Sequence, residues 1–352
     1  MWRSAGSTAI RAKAESVSCG RCARRSSGAS SSNRESNNIR RPWVSAWGGS
    51  RRSFSLGNLK SPSRRRSSKR NLGEEDVTAE EFKAGLLDLS ILADTKFDVP
   101  WGGKVLATGF LAWAFLFLGI GVFVAPSLAG LLHLDFADAG SPDDKAYFLL
   151  LDQTCELVVG LGLIWLVTRP YSPLPKDLFR FSLEKPFDRR DGWLLWALIG
   201  MLGGFLGVGA TAYILSLFHV NAGSDSAGTA DAVVTMLSQD PKVFLSILTV
   251  TSVMAPLLEE VIFRGFLLAT LTKWLPAPTA AFVSAGLFGA AHLTSRDFAQ
   301  LTALGVVLGL TYVRTKNLAT PMLIHATWNS GVLFLLEILY LGGYDVTELL
   351  KN

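Results

Sequence analysis

The strongest constraint on this sequence is a series of apolar stretches, each close to the length that crosses a bilayer. About 20 helical residues cover ~30 Å of hydrocarbon. Seven segments approach that length: 104–132, 147–168, 193–218, 243–273, 278–295, 298–314 and 319–341. Hydrocarbon offers an open chain no partner for its backbone groups, so each segment is expected to be a helix. The fifth and sixth are short, as tilted or partly re-entrant helices would be. The expected fold is therefore all-α, a polytopic transmembrane helix bundle of about seven spans, with an eighth as an alternative. A positive mean hydropathy of +0.32 and ten tryptophans agree with a chain that is too apolar for a typical soluble protein.

Charge divides the chain into a basic tail and an acidic body. Up to Arg70 there are 17 basic and two acidic residues, whereas the remainder holds 17 basic and 27 acidic ones. Residues 1–70 are rich in Ser, Arg and Gly and poor in acids, with no apolar stretch of signal-peptide length. That is the composition of an organellar transit peptide, expected to be disordered. The alternative is a basic tail that binds nucleic acid or anionic lipid, but clusters such as Arg64-Arg65-Arg66 lack interleaved aromatics, and no nucleic-acid partner is expected. Residues 71–103 form an acidic soluble lead-in with a short helix near 79–91. Residues 104–192 hold two spans and a basic loop, 193–342 the membrane core, and 343–352 a short tail. Of three cysteines, Cys19 and Cys22 form a CxxC with no partner pair, and Cys155 is a packing residue in an apolar helix.

Loop charges set the orientation. With the start of the first span on the inner side, that side collects twelve basic residues, from Lys83 to Lys316, against four on the outer side: Lys145, Lys242, Arg296 and Lys351. The positive-inside bias then favours an inner N-terminus and, after seven spans, an outer C-terminus.

Charges within spans cost roughly 2.5–3.5 kcal/mol each on insertion scales, so they are seldom incidental. LLEEVIFRGF at 257–266 holds three, Glu259, Glu260 and Arg264. Glu260 and Arg264 are four residues apart and can pair on one helix face. Glu259 is turned by roughly 100° and points elsewhere, which leaves it as the reactive group. Pro256 cannot donate to the Ser252 carbonyl, so a kink that admits water is expected just before the acids. His133 and His219 sit at span ends, whereas His292 and His325 lie within spans. FGAAH places Phe288 four residues before His292, and HATWN places Asn329 four after His325, so each pair shares a face. Thr320-Pro321 resembles a helix start, with Thr320 as the cap. A carboxylate, two imidazoles and an amide suit hydrolysis, in which one group activates water and others donate to an oxyanion. Interhelical hydrogen bonding explains any one of these residues, at about 0.6 kcal/mol each, but poorly explains them together.

EEVIFR at 259–264, FGAAH at 288–292 and HATWN at 325–329 match, in order, the motifs EExxxR, FxxxH and HxxxN. The chain thereby resembles the CAAX-type prenyl endopeptidases and their bacteriocin-immunity relatives, the CPBP or Abi membrane family, over about 193–341. Its lead-in and first two spans look similar to plastid members of plants and algae. The resemblance implies that Glu259 acts with His292 to activate the attacking water. It also implies that His325 and Asn329 line the oxyanion hole, and that Glu260, Arg264 and Phe288 support the site. The implied reaction is cleavage of a membrane-protein or peptide substrate within the lipid bilayer, without an acyl-enzyme. No cofactor is required on this reading, although Glu259, His292 and His325 are the groups zinc would use. No HExxH is present. A chloroplast membrane, thylakoid or envelope, is the expected location, with a mitochondrial membrane as the alternative. A non-proteolytic scaffold that stabilises other membrane proteins is the competing function, and a carrier is a weaker third. Asp152 and Glu156, four residues apart in the second segment, either extend a polar cavity or mark the place where that span begins.

Overall fold

Each of the seven apolar segments is a helix. The computed structural model describes residues 92, 95–135, 140–218 and 228–349, within a unit spanning Lys69–Asn352. The transit segment, the helix near 79–91, the CxxC and His219 lie outside the described residues. In chain order the elements are α1 (Gly103–Leu131), α2 (Pro142–Tyr171), α3 (Trp193–Leu217), α4 (Thr229–Val234), α5 (Pro241–Leu271), α6 (Ala277–Ala291), α7 (Phe298–Thr315), α8 (Ala319–Leu341) and α9 (Val346–Leu349). Among the described residues there is no strand. Six helices, α1, α2, α3, α5, α7 and α8, are long and apolar enough to cross a membrane. The fifth segment, α6, has 15 residues, about 22 Å at 1.5 Å per residue, and is too short for the full hydrocarbon thickness by itself.

Local chemistry sets the helix starts. Asp240 accepts from the Lys242 backbone N–H at 2.8 Å, with Pro241 as the first helical residue of α5, where a missing N–H costs nothing. Ser141 caps α2 in the same way, accepting from Asp144 N at 3.1 Å ahead of Pro142. Alpha-2 thus begins five residues earlier than its hydropathy implies, and Asp152 lies well inside it rather than at its mouth. The start of α8 differs from expectation. The helix begins at Ala319, not after a Thr320 cap, because the Asn317 side chain accepts from Ala319 N at 3.2 Å. Asn317 also exchanges two hydrogen bonds with the backbone of Ser182, so a single amide joins two loops.

Cross-links between loops reveal two faces of the bundle. On one face Lys316 pairs with Asp177 at 2.9 Å and Leu318 N donates to Arg180 O. On that face too, Lys273 Nζ donates to the carbonyls of Val99 and Trp101, while Trp101 Nε1 donates to Thr270. The segment 95–102 is thereby strapped across the ends of α5 and α7, and Phe97 stacks on Tyr312 at 5.0 Å. On the opposite face Arg296 pairs with Asp231 at 3.0 Å. There Ala146, Leu237, Val243, Leu336 and Val346 share one apolar cluster. Seven helices, α6 included, therefore run between the faces. Lys273 and Lys316 share the first face, as the positive-inside bias requires, and the end of α8 lies on the other.

Small residues let α6 and α7 approach closely. A Cβ placed on Gly305 would lie 3.0 Å from Ala285 Cβ and 3.1 Å from Ala285 Cα, and one on Gly309 3.0 Å from Ala281 Cβ. This is the small-residue packing expected where lipid supplies no hydrophobic drive between helices. Gly305→Val is expected to lower stability by about 1–3 kcal/mol through overpacking. Thermal unfolding of the purified protein checks this, and an unchanged midpoint would contradict the packing account.

Candidate active site

Proline decides the shape of α5. The helix has a π-helical stretch at Val250–Met254, an α-helical turn at Ala255–Glu259 and a second π-helical stretch at Glu260–Leu268. Such π segments are uncommon and concentrate at functional sites. In the π register the N–H of residue 256 would serve the Thr251 carbonyl, but residue 256 is Pro256 and has none. Asn329 of α8 supplies the missing donor, its Nδ2 lying 2.8 Å from Thr251 O. The orphan carbonyl is thus Thr251, one residue from the Ser252 expected for a regular α-helix. One N–H of Asn329 is engaged here, and the residue also lines the cavity described below.

The two glutamates separate as their spacing implies. Glu260 is fully buried and Arg264 almost so. They pair at 2.9 Å, and Arg264 also donates to Gly305 O and lies 4.6 Å above the Phe288 ring. Glu259 is 22% exposed and its Oε2 has no hydrogen bond.

One link was not foreseen from the sequence. Glu260 Oε1 also accepts from His325 Nδ1 at 2.9 Å. A carboxylate acceptor fixes the proton on Nδ1, so Nε2 is the nitrogen presented to the site. That Nε2 is 3.8 Å from Glu259 Oε2. His325 therefore stands between the two acids, oriented by one and facing the other. Residues 65 positions apart leave no mark of such a contact in the sequence.

His292 departs from expectation. It is the C-cap of α6 rather than a residue inside a span, and Leu293 follows with a left-handed φ of 55°. Its Nδ1 donates to Phe288 O at 2.9 Å, which leaves Nε2 for the site. Phe288 is the hub of the cluster, with the rings of His292 at 4.8 Å and His325 at 5.6 Å.

Glu259, His292, His325 and Asn329 all line one cavity of about 360 Å³, bounded by α2, α4, α5, α7 and α8. Its remaining wall is mainly apolar, with Trp328, Val233 and Leu333 among its contributors. Gln153 of α2 also faces it, although nothing in a single sequence marked that residue for a role. The fit to a metal is poor: among the described residues, no three His, Cys, Asp or Glu side chains converge to hold an ion.

Comparison with known proteins meets this geometry at the same residues. Residues 241–331 match the family model of the type II CAAX prenyl endopeptidase Rce1-like proteins. The α5–α8 core is thus similar to the Rce1-like proteins. The match runs from the first residue of α5 to the middle of α8, so it contains every motif residue described above. Two curated bacterial proteins are similar to the chain. The "Putative membrane peptidase YdiL" of Bacillus subtilis is 26% identical over 40% of this chain and 56% of its own length. The "Membrane-embedded CAAX protease MroQ" of Staphylococcus aureus is 33% identical over 23% of this chain and 35% of its own. The chain thus spans between a third and just over half of these relatives. No solved structure matches it. Helices α1 and α2 lie outside the Rce1-like segment, yet α2 supplies part of the cavity wall.

Proposed function

We propose that this protein is a membrane endopeptidase in which Glu259 activates the attacking water. The supporting observation is the geometry of Glu259. Its carboxylate lines a cavity, has an unbonded oxygen and faces an imidazole whose orientation is fixed from behind by Glu260. Glu259 removes a proton from water as the water oxygen bonds to the scissile carbonyl carbon. The resulting oxyanion is met by the free N–H of Asn329 and by His325, whose Nε2 donates when the ring carries both protons. Collapse breaks the C–N bond, and Glu259 returns the proton to the leaving amine. His292 presents Nε2 from the side of α6 and helps to hold the water. No atom of the protein becomes acylated.

The donor set does not close a metal site, and no step is routed through one. The substrate is a membrane-protein or peptide segment, and the location is an organellar membrane, a chloroplast membrane in the first instance, on the composition of residues 1–70. Purified full-length protein in lipid nanodiscs, mixed with internally quenched apolar peptides, tests the reading. New peptide termini are expected with the wild-type protein, and at an unchanged rate with a zinc chelator. Loss of cleavage on chelation, restored by zinc, would overturn the metal-independent mechanism. Absence of cleavage would overturn the peptidase reading.

A further inference from the structure

The wall of the cavity selects for charge as well as shape. Among the described residues lining it, the ionisable side chains are Glu259, His292 and His325, with no Lys or Arg. The nearest guanidinium by connectivity, Arg264, is buried behind Glu260 and engaged with Glu260 and Gly305 O. Arg296, on the loop after His292, is paired with Asp231. A substrate carboxylate in the cavity would therefore meet the Glu259 carboxylate and no Lys or Arg, an arrangement that disfavours its charged form.

Gln153 supplies what a neutral backbone needs. It lies on the buried stripe of α2 (Ala146, Gln153, Glu156, Gly160, Ile164, Thr168), whose spacing of three, four or seven residues faces the bundle. Its side chain is 9% exposed, lines the cavity and makes no hydrogen bond with the described residues. A primary amide carries two donors and an acceptor, and so matches the C=O and N–H of a peptide group. The amide opens onto the cavity with no hydrogen-bond partner among the described residues, as suits a group that meets a ligand there. Leu149, one turn away on the same stripe, and Val233, Met236 and Trp328 opposite provide an apolar surround.

We infer that the site takes an internal, uncharged and mainly apolar stretch of polypeptide, its backbone held by Gln153, rather than a chain end bearing a free carboxylate. This rests on the peptidase reading above. Gln153 is a substrate-binding residue contributed from outside the Rce1-like segment.

The test uses wild-type and Gln153→Leu protein in phosphatidylcholine nanodiscs with matched quenched peptides built from Ala, Leu, Phe, Val, Gly and Ser. One set ends in a free acid and the other in an amide. Cleavage is expected at bonds well away from the C-terminus, at similar rates for both sets. Gln153→Leu is expected to raise KM by roughly tenfold, as for one lost hydrogen bond, with kcat little changed and the unfolding midpoint retained. Gln153→Glu places a second carboxylate in the cavity and is expected to slow cleavage of the free-acid set more than of the amide set. A strong preference for the free acid, with cuts confined to bonds near that end, would overturn the inference and leave the peptidase reading standing. An unchanged KM in a folded Gln153→Leu protein would remove Gln153 from substrate binding. Failure of the wild type to cleave either set would overturn the peptidase reading itself.

Discussion

Glu259→Gln is expected to abolish cleavage and to leave the fold intact. The substitution keeps side-chain size and removes the base. Loss of a general base costs typically 10²–10⁴-fold in rate. The structural cost is small, because Oε2 of Glu259 has no hydrogen bond to lose and the side chain is partly exposed to the cavity. Its contact with His325 Nε2, at 3.8 Å, is beyond hydrogen-bond range. Cleavage rate and unfolding midpoint, measured on the same purified preparation, give the check. A folded Glu259→Gln protein with wild-type activity would contradict the assignment.

The adjacent acid is expected to behave in the opposite way. Arg264→Leu leaves the Glu260 carboxylate buried without its cation, and breaking a buried pair from one side costs about 3–5 kcal/mol. Three further contacts are affected, namely the hydrogen bond to Gly305 O, the stack on Phe288, and the Glu260 carboxylate that orients His325. Arg264→Lys is not a conservative change here, since a single ammonium cannot reproduce the fork that reaches both Glu260 and Gly305. Removing both charges, in Arg264→Leu with Glu260→Gln, is expected to recover part of the lost stability, because no uncompensated ion remains. Unfolding of the single and double variants measures the coupling. A double variant less stable than the sum of the two singles would contradict it. Neither variant is expected to cleave normally, because Glu260 also fixes the His325 ring.

The sequence reached the site through helical periodicity, and it stopped short where the helix is not α-helical or where the contact is tertiary. Glu260 and Arg264 at a spacing of four met as expected, and Glu259 turned away from them. The side of the bundle that carries Lys273 and Lys316 was also legible, since loop charge orients membrane helices. The register beyond Pro256 was not. A proline announces a missing donor, but whether the helix responds with a kink or a π stretch depends on what packs beside it, here Asn329. His292 was placed inside a span by the apolar count, although the polar run Thr294-Ser295-Arg296-Asp297 already signalled an end to α6. The Glu260–His325 hydrogen bond and the exposure of Gln153 to the cavity depend on how separate helices pack. Hydropathy and spacing carry no information about either.

Asp152 and Glu156 share α2 but differ in burial. Both lie inside α2, and Glu156 is buried on the stripe that faces the bundle, beside a small void lined by Trp113 and Ile120. The expectation that Asp152 marks the mouth of the span is corrected by the capped start at Ser141.

The most direct measurement compares protein N-termini in membranes from cells that lack the protein, from cells rescued with wild type, and from cells rescued with Glu259→Ala at matched abundance. The account predicts termini that appear only with wild type. Each would mark a cut within an uncharged, mainly apolar stretch. Full rescue of phenotype and termini by Glu259→Ala would contradict it, and would identify the charged cluster of α5 as the architecture of a non-proteolytic scaffold.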